Sequence, residues 1–190
     1  MIKFVMIKKI LLTVTCALVL SATFARAQEE SKPKENMQPN LIEAKRLEMK
    51  KLDRFVGKWQ GAGWIQQGKN RENFVGTEDV RRKLNGLALL VEGNYKNKDG
   101  KVIHETLAVL SPDLKTKNFD FQTYLANGMS GKYEMKTTET GWQWGFEFPG
   151  AAIRYNIRIE NNVWTEIGEI SQNTGKTWMK FFEMNLKKIE

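Results

Sequence analysis

Apolar and polar residues alternate strictly in the second half of the chain. Trp142, Trp144, Phe146 and Phe148 are separated by Gln143, Gly145 and Glu147, and Ile153, Tyr155, Ile157 and Ile159 alternate with Arg154, Asn156, Arg158 and Glu160. A period of two means a strand, because successive side chains point to opposite faces, and here one face is dry and the other wet. Turn signals recur at Gln67-Gly68, Asn85-Gly86, Asp99-Gly100, Asn127-Gly128, Gly141, Pro149-Gly150, Asn161-Asn162 and Thr174-Gly175. Asn-Gly and Asp-Gly pairs tolerate the positive φ that tight hairpins require.

These signals divide the chain after Gly57 into ten runs: 57–66, 73–83, 87–96, 101–111, 117–126, 129–138, 141–148, 151–160, 163–172 and 175–188. Short strands at this spacing make an all-β sandwich or barrel. Successive hairpins with no helix between them favour an up-and-down meander, and closure removes the exposed edges that invite aggregation. The expected fold is therefore all-β, an antiparallel barrel of about ten strands preceded by one N-terminal helix; a two-sheet sandwich is the alternative.

The helix is predicted from Asn40, which precedes Leu41 and has Glu43 three residues on in a capping-box arrangement. Leu41, Ala44, Leu47, Leu52 and Phe55 fall on one broad side through about Arg54, and Gly57 ends the helix. Ahead of it, residues 28–40 are polar, contain two of the four prolines and show no periodicity, so they read as a disordered tether.

Residues 1–27 read as a cleavable signal peptide. Lys3, Lys8 and Lys9 precede an apolar run from Ile10 to Leu20, and Ala25-Arg26-Ala27 offers small residues at the two positions that a signal peptidase reads. The apolar run is shorter than the roughly 20 residues of a spanning helix. The expectation is an exported protein, periplasmic or secreted, with no stable membrane anchor after cleavage and a folded domain over 41–190. The leader holds four bases and no acid, so its removal leaves 26 bases against 22 acids and lowers the net charge from +8 to +4. The remaining bases are interspersed with acids, which gives no case for nucleic acid. Cys16, the one cysteine, goes with the leader, so the domain must be stabilised by its core and not by disulfides.

Gly57-Lys58-Trp59 stands where the helix hands over to the first strand. With the helix before it, this element resembles the Gly-x-Trp opening of lipocalins and their calycin relatives, in which the Trp plugs the closed end of the barrel beneath a basic residue of the last strand. Gly57 and Trp59 are then structural closure residues. Lys180 or Lys187 would supply the base, since no Arg follows Arg158. The run Phe55-Val56-Gly57-Lys58-Trp59-x-Gly61, with Leu84-Asn85-Gly86 leading into Leu89-Leu90-Val91-Glu92-Gly93, resembles a family of small bacterial lipocalin-like proteins of unknown function. That likeness covers roughly 55–190 and implies a fold, not an activity. A more distant similarity is to nitrobindin-type haem barrels, whose iron is held by a His near the C-terminus. Here Lys176–Glu190 offers Met179 and Met184 but no imidazole, and haem is disfavoured. No cofactor is expected.

No catalytic constellation emerges. His104, the one histidine, lies beside Glu105 on the fourth strand without a nucleophile in a strained turn. One His with scattered carboxylates gives no zinc spacing and no metal site. The aromatic stripe suggests a cavity wall, with Trp142, Trp144, Phe146, Tyr155 and Phe121 as candidate ligand-binding residues and His104 beside them. The expected function is a barrel enclosing a small apolar or amphipathic molecule. The alternatives are a non-enzymatic interaction module with a filled barrel and an enzyme acting at the barrel mouth.

Overall fold

A computed structural model describes residues 37–190, so the leader and all but the last four residues of the tether lie outside the described residues. Ten strands follow one another: β1 Gly57–Gln67, β2 Asn70–Lys83, β3 Ala88–Asn97, β4 Val102–Asp113, β5 Asn118–Leu125, β6 Ser130–Thr137, β7 Trp142–Phe148, β8 Ala151–Glu160, β9 Val163–Ser171 and β10 Met179–Lys188. Each pairs antiparallel with its sequence neighbours, and β1 also pairs with β10, from Trp59 opposite Lys188 to Ile65 opposite Phe182. The meander is a closed ten-stranded barrel, and the sandwich alternative falls. Its tight turns carry the predicted residues: Asn161 and Asn162, both at positive φ, form the whole β8–β9 link.

Strand β2 starts three residues earlier than expected, and two further boundaries differ for local reasons. Helix α1 runs Met37–Met49, so it starts three residues before Asn40, and a 3₁₀ helix continues it over Lys50–Phe55. Met49, Leu52 and Phe55 are buried, whereas Leu41 and Leu47 remain more than half exposed. A 3₁₀ helix repeats every three residues, so tightening the chain at Lys50 puts these three side chains on one face over the barrel end. Strand β10 starts four residues later than predicted. The buried Ser171 hydroxyl accepts from the Gly175 N–H at 2.8 Å, and the Asn173 side-chain oxygen accepts from the Thr177 N–H at 2.9 Å. These local bonds compete with the ladder and hold the segment as a turn.

The strand alternation sends one set of side chains inward. At one end this set is packed solid beneath the 3₁₀ helix. Trp59 donates its indole N–H to the Phe55 carbonyl at 2.7 Å. Edge contacts join Phe55 to Trp142 at 4.6 Å, Phe55 to Trp164 at 4.9 Å and Trp59 to Trp164 at 5.7 Å. Leu89, Leu110, Met135, Ile159 and Leu186 fill the spaces between. The basic partner of Trp59 is Lys188, with Nζ 5.5 Å from the ring centroid, and not Lys180 or Lys187. Strand phase explains the correction: Lys188 lies directly across the β1–β10 ladder from Trp59 and shares its inward face, whereas Lys187 faces outward.

Candidate functional site

Beyond the closed end the inward face changes character. Trp144 on β7 stacks on Tyr155 of β8, with centroids 4.3 Å apart and planes 9° from parallel. Phe121 of β5 meets the Trp144 edge at 5.0 Å, Tyr133 of β6 lies 5.2 Å from it, and Phe182 of β10 closes on Tyr155 at 5.8 Å. These side chains are only partly buried, and Phe146 nearer the rim is exposed. Phe121, Trp144 and Phe182 pack against the buried core, and all of these rings keep accessible surface, so they form the wall of the interior beyond the closed end.

Two acids form the floor of this space, and the sequence reading missed both. Glu78 on β2 lies in register between Trp59 and Gly93, and Glu166 on β9 between Ile157 and Met184. Glu78 is 6 % exposed and accepts a hydrogen bond from the Tyr95 hydroxyl, but its Oε2 has no partner. The same hydroxyl lies 3.2 Å from Sδ of Met184, the residue beside Glu166. Glu166 accepts from the Trp144 indole N–H at 3.3 Å and keeps part of its surface accessible. The Trp164 N–H also favours its charged form, although it makes no full hydrogen bond.

Burial of this kind disfavours charge. Desolvation pushes the Glu78 carboxyl up to about 8, against the stabilising Tyr95 hydrogen bond and with a further push from the charge of Glu166. Desolvation likewise raises Glu166 to about 7, against the two indole N–H groups. Tyr95 is held well above its ordinary value, first by burial and then by the Glu78 charge. Tyr155 is also raised, chiefly by burial.

Gly93 makes room for the floor. A Cβ there would lie 2.7 Å from Oε1 of Glu78 and 2.8 Å from Cγ2 of Thr106. Gly93→Ala is expected to cost about 1–3 kcal/mol through overpacking, read by urea unfolding; an unchanged midpoint would mean that Glu78 moves aside freely.

The predicted site residues divide between two layers. Trp144, Tyr155 and Phe121 stand together in the wall, and Phe146 extends it to the rim. Trp142 does not join them: it is buried in the closed-end core against Phe55. His104 faces inward opposite Tyr95, with ring centroids 5.5 Å apart. It is exposed overall, but crowding by the wall lowers its pKa. The overlooked acids carried a phase signal. Glu78 continues the inward series Phe74, Gly76, Val80, and Glu166 continues Trp164, Gly168, Ile170. An acid in the apolar phase of a strand must be buried, and that marks it. Among the described residues no cluster of three or more His, Cys, Asp or Glu gathers as a metal site. Two surface depressions, of about 420 Å³ over β3–β5 and about 280 Å³ over β5–β6, are lined by neither acid; the buried, perturbed groups make the interior the better candidate site.

Fold and interior together define the class, a lipocalin-like (calycin) barrel with an aromatic wall and an acidic floor. No known family profile matches the chain, and no curated protein matches it. Sixteen chains of solved structures do match. One of them is the crystal structure of Rv2717c from M. tuberculosis, which shares 13 % sequence identity with a TM-score of 0.60, over 75 % of this chain and 98 % of that one. At that identity the likeness supports the barrel and nothing finer.

Proposed function

We propose that this protein is an exported carrier or sensor that takes a small apolar or amphipathic molecule into the barrel through its open end. The observation that carries this reading is the partly accessible aromatic wall built around the Trp144–Tyr155 stack. Ligand pockets are mostly apolar and aromatic with a few convergent polar groups, and here the polar groups are Glu78 and Glu166 at the floor. The leader-like residues 1–27 support export.

N-phenyl-1-naphthylamine, a neutral environment-sensitive dye, is expected to bind saturably and to quench tryptophan fluorescence as its own emission rises. Trp144→Ala should weaken that binding while the domain stays folded. If no dye binds, the carrier reading falls and the interaction module takes its place. That second reading has its own support, because Leu41 and Leu47 on α1 and the nearby Leu84 stay exposed, with Arg46 tying the helix to the Asn85 carbonyl at 3.1 Å.

A further inference from the structure

The geometry points to an organic cation, a small ammonium compound bearing an apolar or aromatic body, as the molecule that this interior accepts. The inference rests on the interior-binding reading and adds the chemical class of the guest. Two independent observations carry it. The first is the floor: Glu78 and Glu166 share the inward face, the Tyr95 hydroxyl reaching both Glu78 and Sδ of Met184, which lies opposite Glu166 in the ladder, and Oε2 of Glu78 is buried without a hydrogen-bond partner. An unsatisfied buried carboxyl oxygen costs free energy, and once ionised two acids on one inward face both gain from one positive charge between them.

Among the described residues no side chain supplies that charge. Lys188, on the inward face, is committed to the closed end beside Trp59, and among the described residues no ion pair involves Glu78 or Glu166. Their protein partners are a phenol and an indole N–H. A neutral apolar guest would leave Glu78 Oε2 as it is, and above pH 8, where both acids are ionised, an anion would be repelled by both.

The second observation is the wall above the floor. The rings of Trp144, Tyr155 and Phe182 present π faces and edges around the same space. A cation over an aromatic face is attracted by the ring quadrupole, most strongly when desolvated, and such cages recognise quaternary ammonium groups. A metal ion suits the site poorly, since it would have to shed its water for two carboxylates and apolar rings. An ammonium with an organic body uses the acids and the rings at once.

Displacement of bound N-phenyl-1-naphthylamine from the purified protein at pH 8.5 tests the assignment with benzyltrimethylammonium, benzyl alcohol and benzoate. These probes share one ring and differ in charge. Benzyltrimethylammonium is expected to compete at least about tenfold better than benzyl alcohol, with benzoate the weakest. Glu166→Gln should bring the ammonium down to the level of the alcohol while leaving the alcohol within about twofold. Glu78→Gln, which keeps an acceptor for Tyr95, should act in the same direction and serves as the second variant if the first fails to fold. Equal affinity for the three probes, a preference for benzoate, or an ammonium preference that survives both variants would overturn the assignment. Binding of dye and alcohol without any ammonium preference rejects the cation alone. Failure of the dye itself to bind rejects the interior-binding reading and the cation with it.

Discussion

Raising the pH from 6.5 to 9 is expected to lower the unfolding free energy of this domain by roughly 2–3 kcal/mol. The cause is the acidic floor. Glu78 and Glu166 keep their protons in the folded state up to about 8 and about 7, whereas in the unfolded chain both return to the ordinary value of 4.5. Above that value the folded state binds more protons than the unfolded one, so stability falls with rising pH until the folded pKa is passed. The stabilisation from neutral carboxyls is thus complete below 4.5 and lost through 7 and 8. His104 acts with the opposite sign. Its lowered pKa means that the unfolded chain takes up the proton first, so its contribution is present above 6.5 and declines below. Restricting the comparison to pH 6.5–9 therefore isolates the two acids. Urea unfolding at four or five pH values reads the slope, and the Glu78→Gln, Glu166→Gln double variant should flatten it. A wild-type midpoint independent of pH across this window would mean that water reaches both carboxylates freely.

Trp142→Ala and Trp144→Ala should differ sharply, although the two residues sit two apart on one face of one strand. Trp142 is 6 % exposed and locked against Phe55 in the closed end, so its truncation leaves a cavity and should cost about 3–5 kcal/mol. Trp144 is only partly buried, so its loss should cost about 1–2 kcal/mol, the transfer term without a full cavity. The ligand signal should divide the other way, with Trp144→Ala weakening dye binding more than Trp142→Ala does. Equal, large losses of stability from both, with no dye binding in the wild type, would make the interior a solid core.

Much of this was legible because strand phase is a simple code. The alternations at Trp142–Phe148 and Ile153–Ile159 identified the inward face, and the Asn and Gly pairs marked the turns within a residue or two. Phase alone does not give depth. Trp142 and Trp144 carry the same signal, and only the 3₁₀ helix, capping one end with Phe55, separates core from wall. Glu78 and Glu166 were hidden by composition, since an acid in a chain rich in surface acids reads as solvated unless its phase is checked against its neighbours. Lys188 was overlooked in favour of Lys180 and Lys187 because the β1–β10 register cannot be counted from either strand alone. The late start of β10 depends on the Ser171 and Asn173 side chains, which outbid the ladder over a few residues.

The β1–β10 seam joins residues more than 100 positions apart, Trp59 to Lys188, and every other pairing is between neighbours in sequence. Nine hairpin ladders can form in order as the chain emerges, each closing only a short loop. The tenth cannot begin until the last residues are available, and it brings together the most distant parts of the chain. Non-local contacts of this kind slow folding and leave an intermediate with two unpaired edges. Strand β10 thus acts as a latch. A protein cut short before β10 would keep most of its strands and present both raw edges to other chains, and Trp59 would lose the strand that roofs it.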